Sequence, residues 1–183
     1  MEDDFNKLLA EKNIATNFSL LHVNSWSLFK NLDHLINYLS IISHRCSVIA
    51  VSETLGNVNN ERFLIIPDYN CILVHRKTGT GGVALFILNN LHCDVCAVLN
   101  AFTNNNFECV FVKLSSSTFK TKVLGSVYRP PNSILDLLMS GFESVLDHFN
   151  HFGVECLIAG DFNIDLLKYY AHHGTGLFLD FPT

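Results

Sequence analysis

The residues best placed to do chemistry lie in one stretch, Glu155-Cys156-Leu157-Ile158-Ala159-Gly160-Asp161-Phe162-Asn163-Ile164-Asp165. Leu157 to Ala159 read as a short buried strand that Gly160 ends. Asp161 and Asn163 follow two residues apart, so an extended strand end aims both side chains the same way. A carboxylate beside a neutral amide suits reaction at a phosphate. Asp161 can orient and deprotonate a water, and Asn163 can donate to a developing oxyanion or contact a metal. Gly160 to Phe162 and Asn163 would also serve as a plain turn, so the rest of the chain must decide.

Three more polar groups follow apolar strand-like runs: Asn24 after Phe18 to Val23, Glu53 after Val48 to Val51, and Tyr128 at the end of Lys122 to Tyr128. Strand ends of this kind can gather at one edge of a packed sheet and build a site from distant parts of the chain. Glu53 is suited to a hard cation such as Mg²⁺, which takes one or two carboxylates plus water and phosphate. Its alternative is a capping or exposed glutamate.

The elements that must position these groups can be read from periodicity. A short amphipathic helix is expected over residues 3–12, starting near Asp3 or Asp4. A second presents Leu32, Leu35, Ile36, Leu39 and Ile42 on one face, with Asn31 as its cap. Cys71 to Val74 and Val83 to Leu88 read as strands joined by a glycine-rich link, His75 to Gly82. That link enters a strand and lacks the helix N-terminus of a phosphate cradle, so it reads as a hairpin loop. Arg76 and Lys77 within it could touch a phosphate backbone or form a solvated basic pair. Further strands are expected at about Cys93 to Leu99, Phe107 to Leu114 and Lys122 to Tyr128, where Pro130 and Pro131 stop the run. Ser133 then caps a helix with Ile134, Leu137, Leu138, Phe142, Val145, Leu146 and Phe149 on one face. Residues 1–183 therefore read as a single α/β unit, two packed sheets flanked by helices.

Composition bounds the function. With 49% hydrophobic residues the chain can fill a core, and its net charge of −5 argues against a strong nucleic-acid binder with a basic face. A metal-dependent nuclease escapes that argument, because it must gather carboxylates. The six cysteines are scattered through strand-like runs and read as buried and unpaired. Cys93 and Cys96 have zinc spacing, with His92 beside them, but no second pair completes a site. The acidic start lacks a secretory pattern, and no apolar run approaches the length of a membrane span. The expectation is an intracellular protein away from membranes.

Taken together, these pieces resemble the endonuclease/exonuclease/phosphatase superfamily, and within it the apurinic-type endonuclease domain of LINE-like (non-LTR) retrotransposons. His22-Val23-Asn24-Ser25-Trp26-Ser27-Leu28 looks like the family's opening Asn motif, and Ile49-Ala50-Val51-Ser52-Glu53-Thr54 like its metal-glutamate motif. Pro67-Asp68-Tyr69-Asn70 with Gly81-Gly82-Val83-Ala84-Leu85-Phe86 resembles its middle hairpin. Val127-Tyr128-Arg129-Pro130-Pro131-Asn132 and Ala159 to Asp165 complete a series that runs in the expected order over about residues 18–168. The resemblance implies a DNase-I-like four-layer sandwich of two mostly antiparallel sheets flanked by helices. It implies that Glu53 binds Mg²⁺ (or Mn²⁺), with Asn24 helping to hold the ion or the scissile phosphate. Asp161 would orient the attacking water, Asn163 would stabilise charge on the phosphate, and Tyr128 would hydrogen-bond it from the side. Arg76, Lys77 and Arg129 are candidate DNA contacts. The implied reaction is a nick in target DNA, in the nucleus, that primes a reverse transcriptase lying downstream in the parent polyprotein.

The departures are specific. Trp26 stands where relatives usually have Arg, and Leu55 where an aromatic usually follows. The family closes with a strand ending in Ser-Asp-His, which this sequence lacks; it ends at Phe181-Pro182-Thr183, like a family segment cut short. His172 and His173 sit in a polar, glycine-rich tail and read as solvated. The expectation is a C-terminally truncated domain without its last strands, with weak or no nicking. Other readings are a phosphatase or phosphodiesterase of the same superfamily, and a non-catalytic remnant of a decayed mobile element.

Overall fold

Side chains alternate between two faces along a strand, and here that alternation sorts the apolar residues into three separate cores. The computed structural model describes residues 7, 18–42, 44–55, 62–74, 81–97, 107–150, 153–168, 170 and 173–180. The helix expected over 3–12 lies, apart from Lys7, outside the described residues. So do Arg76 and Lys77.

The first sheet holds β1 (Leu20–Asn24), β2 (Val48–Ser52), β3 (Tyr69–Val74) and β4 (Val83–Leu88), in the order β1-β2-β4-β3. The second holds β5 (His92–Val95), β6 (Glu108–Ser115), β7 (Lys122–Tyr128) and β8 (Glu155–Asp161), in that order. Each sheet has one parallel pair, β1 with β2 and β7 with β8, and the other pairs are antiparallel. A parallel pair needs a long crossover. Helix α1 (Leu28–Ile41) supplies it for the first sheet and α2 (Leu135–Asn150) for the second. A short α3 (His173–Leu179) follows β8.

Between the sheets lie Val48, Ala50, Val83, Leu85, Ile87, Val110, Val112, Leu114 and Leu124, all buried. The alternate residues Ile49, Val51, Ala84 and Phe86 pack outward with Leu28 and Leu35 of α1. On the far side Cys109, Phe111, Val123 and Val127 meet Leu138, Phe142, Val145 and Phe149 of α2. Helix, sheet, sheet and helix thus form four layers, the sandwich that the sequence motifs implied. Each buried Leu, Val or Phe contributes about 1.5–3 kcal/mol. None of the six cysteines forms a disulfide.

The helix starts differ from the sequence reading. Helix α1 begins at Leu28, with Ser27 at its N-cap in a left-handed conformation and making no side-chain cap. Asn31 lies inside the helix, and its Nδ2 reaches back to the carbonyls of Ser25 (2.8 Å) and Trp26 (3.3 Å). Before α2, the Ser133 hydroxyl donates to the Pro130 carbonyl (2.8 Å), closing a turn two residues short of the first helical residue.

Gly160 lets β8 lie close beside β7. A Cβ there would stand 2.0 Å from the Val127 carbonyl oxygen, and that atom belongs to a paired strand and cannot move aside. Gly160→Ala is expected to destabilise the fold by about 2 kcal/mol or more, seen as a lower midpoint in urea unfolding. An unchanged midpoint would show that β8 is not held this tightly.

Candidate active site

In β1, β2, β7 and β8 the face that lines the inter-sheet core is apolar at its start and polar at its end. In β1 it runs Leu20, His22, Asn24; in β2, Val48, Ala50, Ser52; in β7, Leu124, Ser126, Tyr128; in β8, Leu157, Ala159, Asp161. Parallel pairing within each sheet brings these ends level: Asn24 stands opposite Ser52, and Tyr128 opposite Asp161. The two sheets then face each other, so the polar ends meet at one mouth of the sandwich.

Asn24 joins the two sides. Its Nδ2 donates to Glu53 Oε1 (3.2 Å) and to Asp161 Oδ2 (2.7 Å), and its Oδ1 accepts from the Trp26 backbone N–H (3.1 Å). A backbone N–H can only donate, so the orientation of the amide is fixed and both amide hydrogens face carboxylates. Glu53 lies just past β2 in a left-handed conformation (φ 55°), which turns its side chain toward Asn24. Conformations of this kind cost about 1–3 kcal/mol and persist where the surroundings enforce them.

Asp161 is held at both oxygens, because Oδ1 accepts from the Asn163 backbone N–H (3.1 Å). Asn163, also left-handed (φ 49°), donates one amide hydrogen to the Arg129 carbonyl (2.7 Å). Arg129 is placed inward. It is only 6% exposed, and its guanidinium donates to the carbonyls of Phe162 (2.7 Å), Asn163 (2.7 Å) and Ser133 (2.8 Å). Its role in this geometry is to brace the Asp161–Asn163 turn. The surface on which a DNA contact was expected for it does not include it.

Tyr128 closes the floor. Its side chain is 5% exposed, and its hydroxyl donates to the Glu53 carboxylate. Burial first, and then the Glu53 charge, push its pKa up to about 12. It is therefore a neutral hydrogen-bond donor across the working range of pH. Beside it stands a residue that the sequence reading passed over. Glu108, fully buried, pairs with Tyr128 in the ladder and accepts from the Gly82 N–H (3.2 Å), tying the base of the β3–β4 hairpin to the site. The signal was a lone charge opening the apolar run Phe107 to Val112. His22 packs behind Asn24 with its ring against Ser52 Oγ (3.2 Å). Burial lowers its pKa, an effect that Asp161 partly offsets.

Glu53 and Asp161 converge on one amide with no lysine or arginine side chain bonded to either among the described residues. Two carboxylates so placed call for a cation between or beside them. No group of three or more His, Cys, Asp or Glu gathers among the described residues. An open site with two carboxylates fits Mg²⁺, which keeps several waters and binds through one or two carboxylates plus phosphate oxygens. A closed all-protein cage is not what the residues offer.

The Tyr128 environment has a pH signature. Its folded pKa of about 12 lies above the ordinary 10.0, so the unfolded chain loses that proton first as pH rises. The stability that Tyr128 contributes is complete below pH 10 and is lost as pH climbs through 12. Ultraviolet titration should show Tyr128 and Tyr69 among the late tyrosines, both near 12. Tyr128→Phe should remove one of them. Ionisation of Tyr128 near 10 would contradict its burial against Glu53.

No protein-family model and no curated protein sequence matches the chain. Solved structures do. The endonuclease domain of TRAS1, a telomere-specific non-LTR retrotransposon, superposes with a TM-score of 0.65 at 15% identity, over 88% of this chain and 69% of that one. D. rerio TDP2, solved with a single-strand DNA product, gives 0.62 at 13%, over 91% and 66%. An endonuclease/exonuclease/phosphatase family protein from Bacteroides thetaiotaomicron gives 0.54 at 13%, over 88% and 68%. The chain thus spans about two thirds of the length of each neighbour. Two mixed sheets flanked by helices, closing on one polar mouth, give this chain the DNase-I-like fold of the endonuclease/exonuclease/phosphatase proteins.

Proposed function

We propose that this chain is a metal-dependent hydrolase of DNA phosphodiesters, the endonuclease part of a non-LTR retrotransposon. The observation that carries the reading is the Asn24 amide bonded to both Glu53 and Asp161 across the two sheets. It keeps two carboxylates together at an open mouth where a phosphate can enter.

Each residue has a task. Asp161, fixed at both oxygens, accepts the proton of a water and aims its oxygen at phosphorus. Asn163 donates its second amide hydrogen to a non-bridging phosphate oxygen, and Tyr128, kept protonated, turns its one O–H from Glu53 to another when the phosphate enters. The water oxygen bonds to phosphorus as the bond to the 3′ oxygen breaks, and the departing oxygen takes a proton from solvent, leaving a 5′-phosphate and a 3′-hydroxyl. What Mg²⁺ or Mn²⁺ supplies when bound at Glu53, with Asn24 beside it, is Lewis-acid stabilisation of the leaving oxygen. Arg129 and Glu108 act through others, the first by holding the Asn163 turn and the second by backing Tyr128. Arg76 and Lys77 are proposed to touch the DNA backbone. In the nucleus, the 3′-hydroxyl at the nick would prime a reverse transcriptase encoded downstream.

No imidazole bonds to Asp161 or Asn163 among the described residues, so none of these is placed to protonate the leaving oxygen. Purified residues 1–183 are therefore expected to nick supercoiled plasmid slowly, only with Mg²⁺, and Asp161→Ala should abolish the activity. Nicking that persists in EDTA or in the variant would defeat the proposal, as would none from a folded chain at high enzyme concentration. Release of inorganic phosphate from a phosphomonoester without nicking would move the reading to a phosphatase.

A separate check needs no turnover. Saturating Mg²⁺ at about 100 times its Kd stabilises a fold by about 2.7 kcal/mol, so the melting temperature of the wild type should rise by several degrees. Glu53→Gln should remove most of that rise. An equal rise in both would place the ion elsewhere.

A further inference from the structure

Trp26 is the sole tryptophan of the chain and is 79% exposed. A single exposed apolar residue is ordinary on a protein surface. What sets this one apart is the backbone beneath it. Trp26 (φ 39°) and Ser27 (φ 92°) are consecutive non-glycine residues in the left-handed region, where a bulky side chain is rare. The segment is fixed at every step. Ser25 N–H donates to the Ser52 carbonyl (3.0 Å), Ser27 N–H to Glu53 (2.8 Å) and Leu28 N–H to Thr54 (3.1 Å). Asn31 Nδ2 donates to the Trp26 carbonyl, and Trp26 N–H to Asn24 Oδ1. The indole is thus held out in water on a left-handed, hydrogen-bonded turn.

Its root is one hydrogen bond from the amide that binds both carboxylates. A ligand that meets this mouth must offer a phosphate to the cleft and, next to it, something that gains from a large, flat, apolar face. A nucleic-acid strand offers both, because every base presents a π-face beside a phosphate, and base–aromatic stacking tolerates any sequence. We infer that Trp26 is a base-stacking residue that takes an unpaired or unstacked base flanking the scissile phosphate. The inference rests on the hydrolase reading for the position of the phosphate. It narrows the substrate class to strands whose bases are accessible at the cut.

The residue reports on itself. A short oligothymidylate is titrated into the wild-type protein in Mg²⁺, with tryptophan fluorescence recorded. An abasic strand of the same length and charge is titrated in parallel. Quenching is expected with oligothymidylate and not with the abasic strand. Trp26→Ala, checked as folded by circular dichroism, should bind the labelled oligothymidylate about 5- to 100-fold more weakly. Trp26→Phe should recover most of the loss. Equal quenching by the abasic strand, no quenching by either, or unchanged affinity in Trp26→Ala would each overturn the inference. A protein that nicks plasmid but shows no base-dependent quenching would leave the hydrolase standing and remove only this residue's role. Base-dependent quenching without Mg²⁺-dependent nicking would do the reverse.

Discussion

One side-chain amide carries this site. Glu53 and Asp161 belong to different sheets and repel each other, and the two N–H groups of Asn24 are what bring them to a common point. An amide is suited to that position because it has two donors and no charge. A carboxylate there would add a third negative group, and an ammonium would compete with any cation. The Trp26 N–H fixes which end of the amide faces the cleft, so the loop after β1 is as much a part of the site as the strands.

The architecture repeats the same construction twice. In each sheet a strand, a helix and a parallel strand lie at one edge, β1-α1-β2 in the first and β7-α2-β8 in the second. Parallel neighbours end at the same level, so each unit delivers two polar strand ends side by side. Stacking the sheets with β1 facing β8 sets Asn24 against Asp161. The apolar layer between the sheets excludes water from everything below the mouth.

Much of this was legible in the sequence because it is written in period two. Val83–Leu88 and Lys122–Tyr128 have the bounds that their apolar runs give, and Asn24, Glu53, Tyr128 and Asp161 do converge. What was hidden depends on direction after a strand ends. Arg129 follows an apolar strand and reads as a surface cation. Its direction is set by three carbonyls in loops that no periodicity describes. Glu108 reads as an interruption of an apolar run until its ladder partner proves to be Tyr128. Asn31 looks like a cap because the left-handed Ser27, which lets α1 start a turn earlier, has no signature in residue type.

The bond between Asn24 and Asp161 spans 137 residues of sequence. Closing so long a loop costs chain entropy before any contact compensates for it, and folds dominated by distant pairings are slow to form. The hairpin β3–β4 and the ladder β5–β6–β7 can form from local chain, but the cleft exists only once β8 has docked. On a ribosome this order has a consequence. Nascent chains that have not yet released residue 161 lack the assembled cleft, so synthesis itself withholds the site until β8 has emerged.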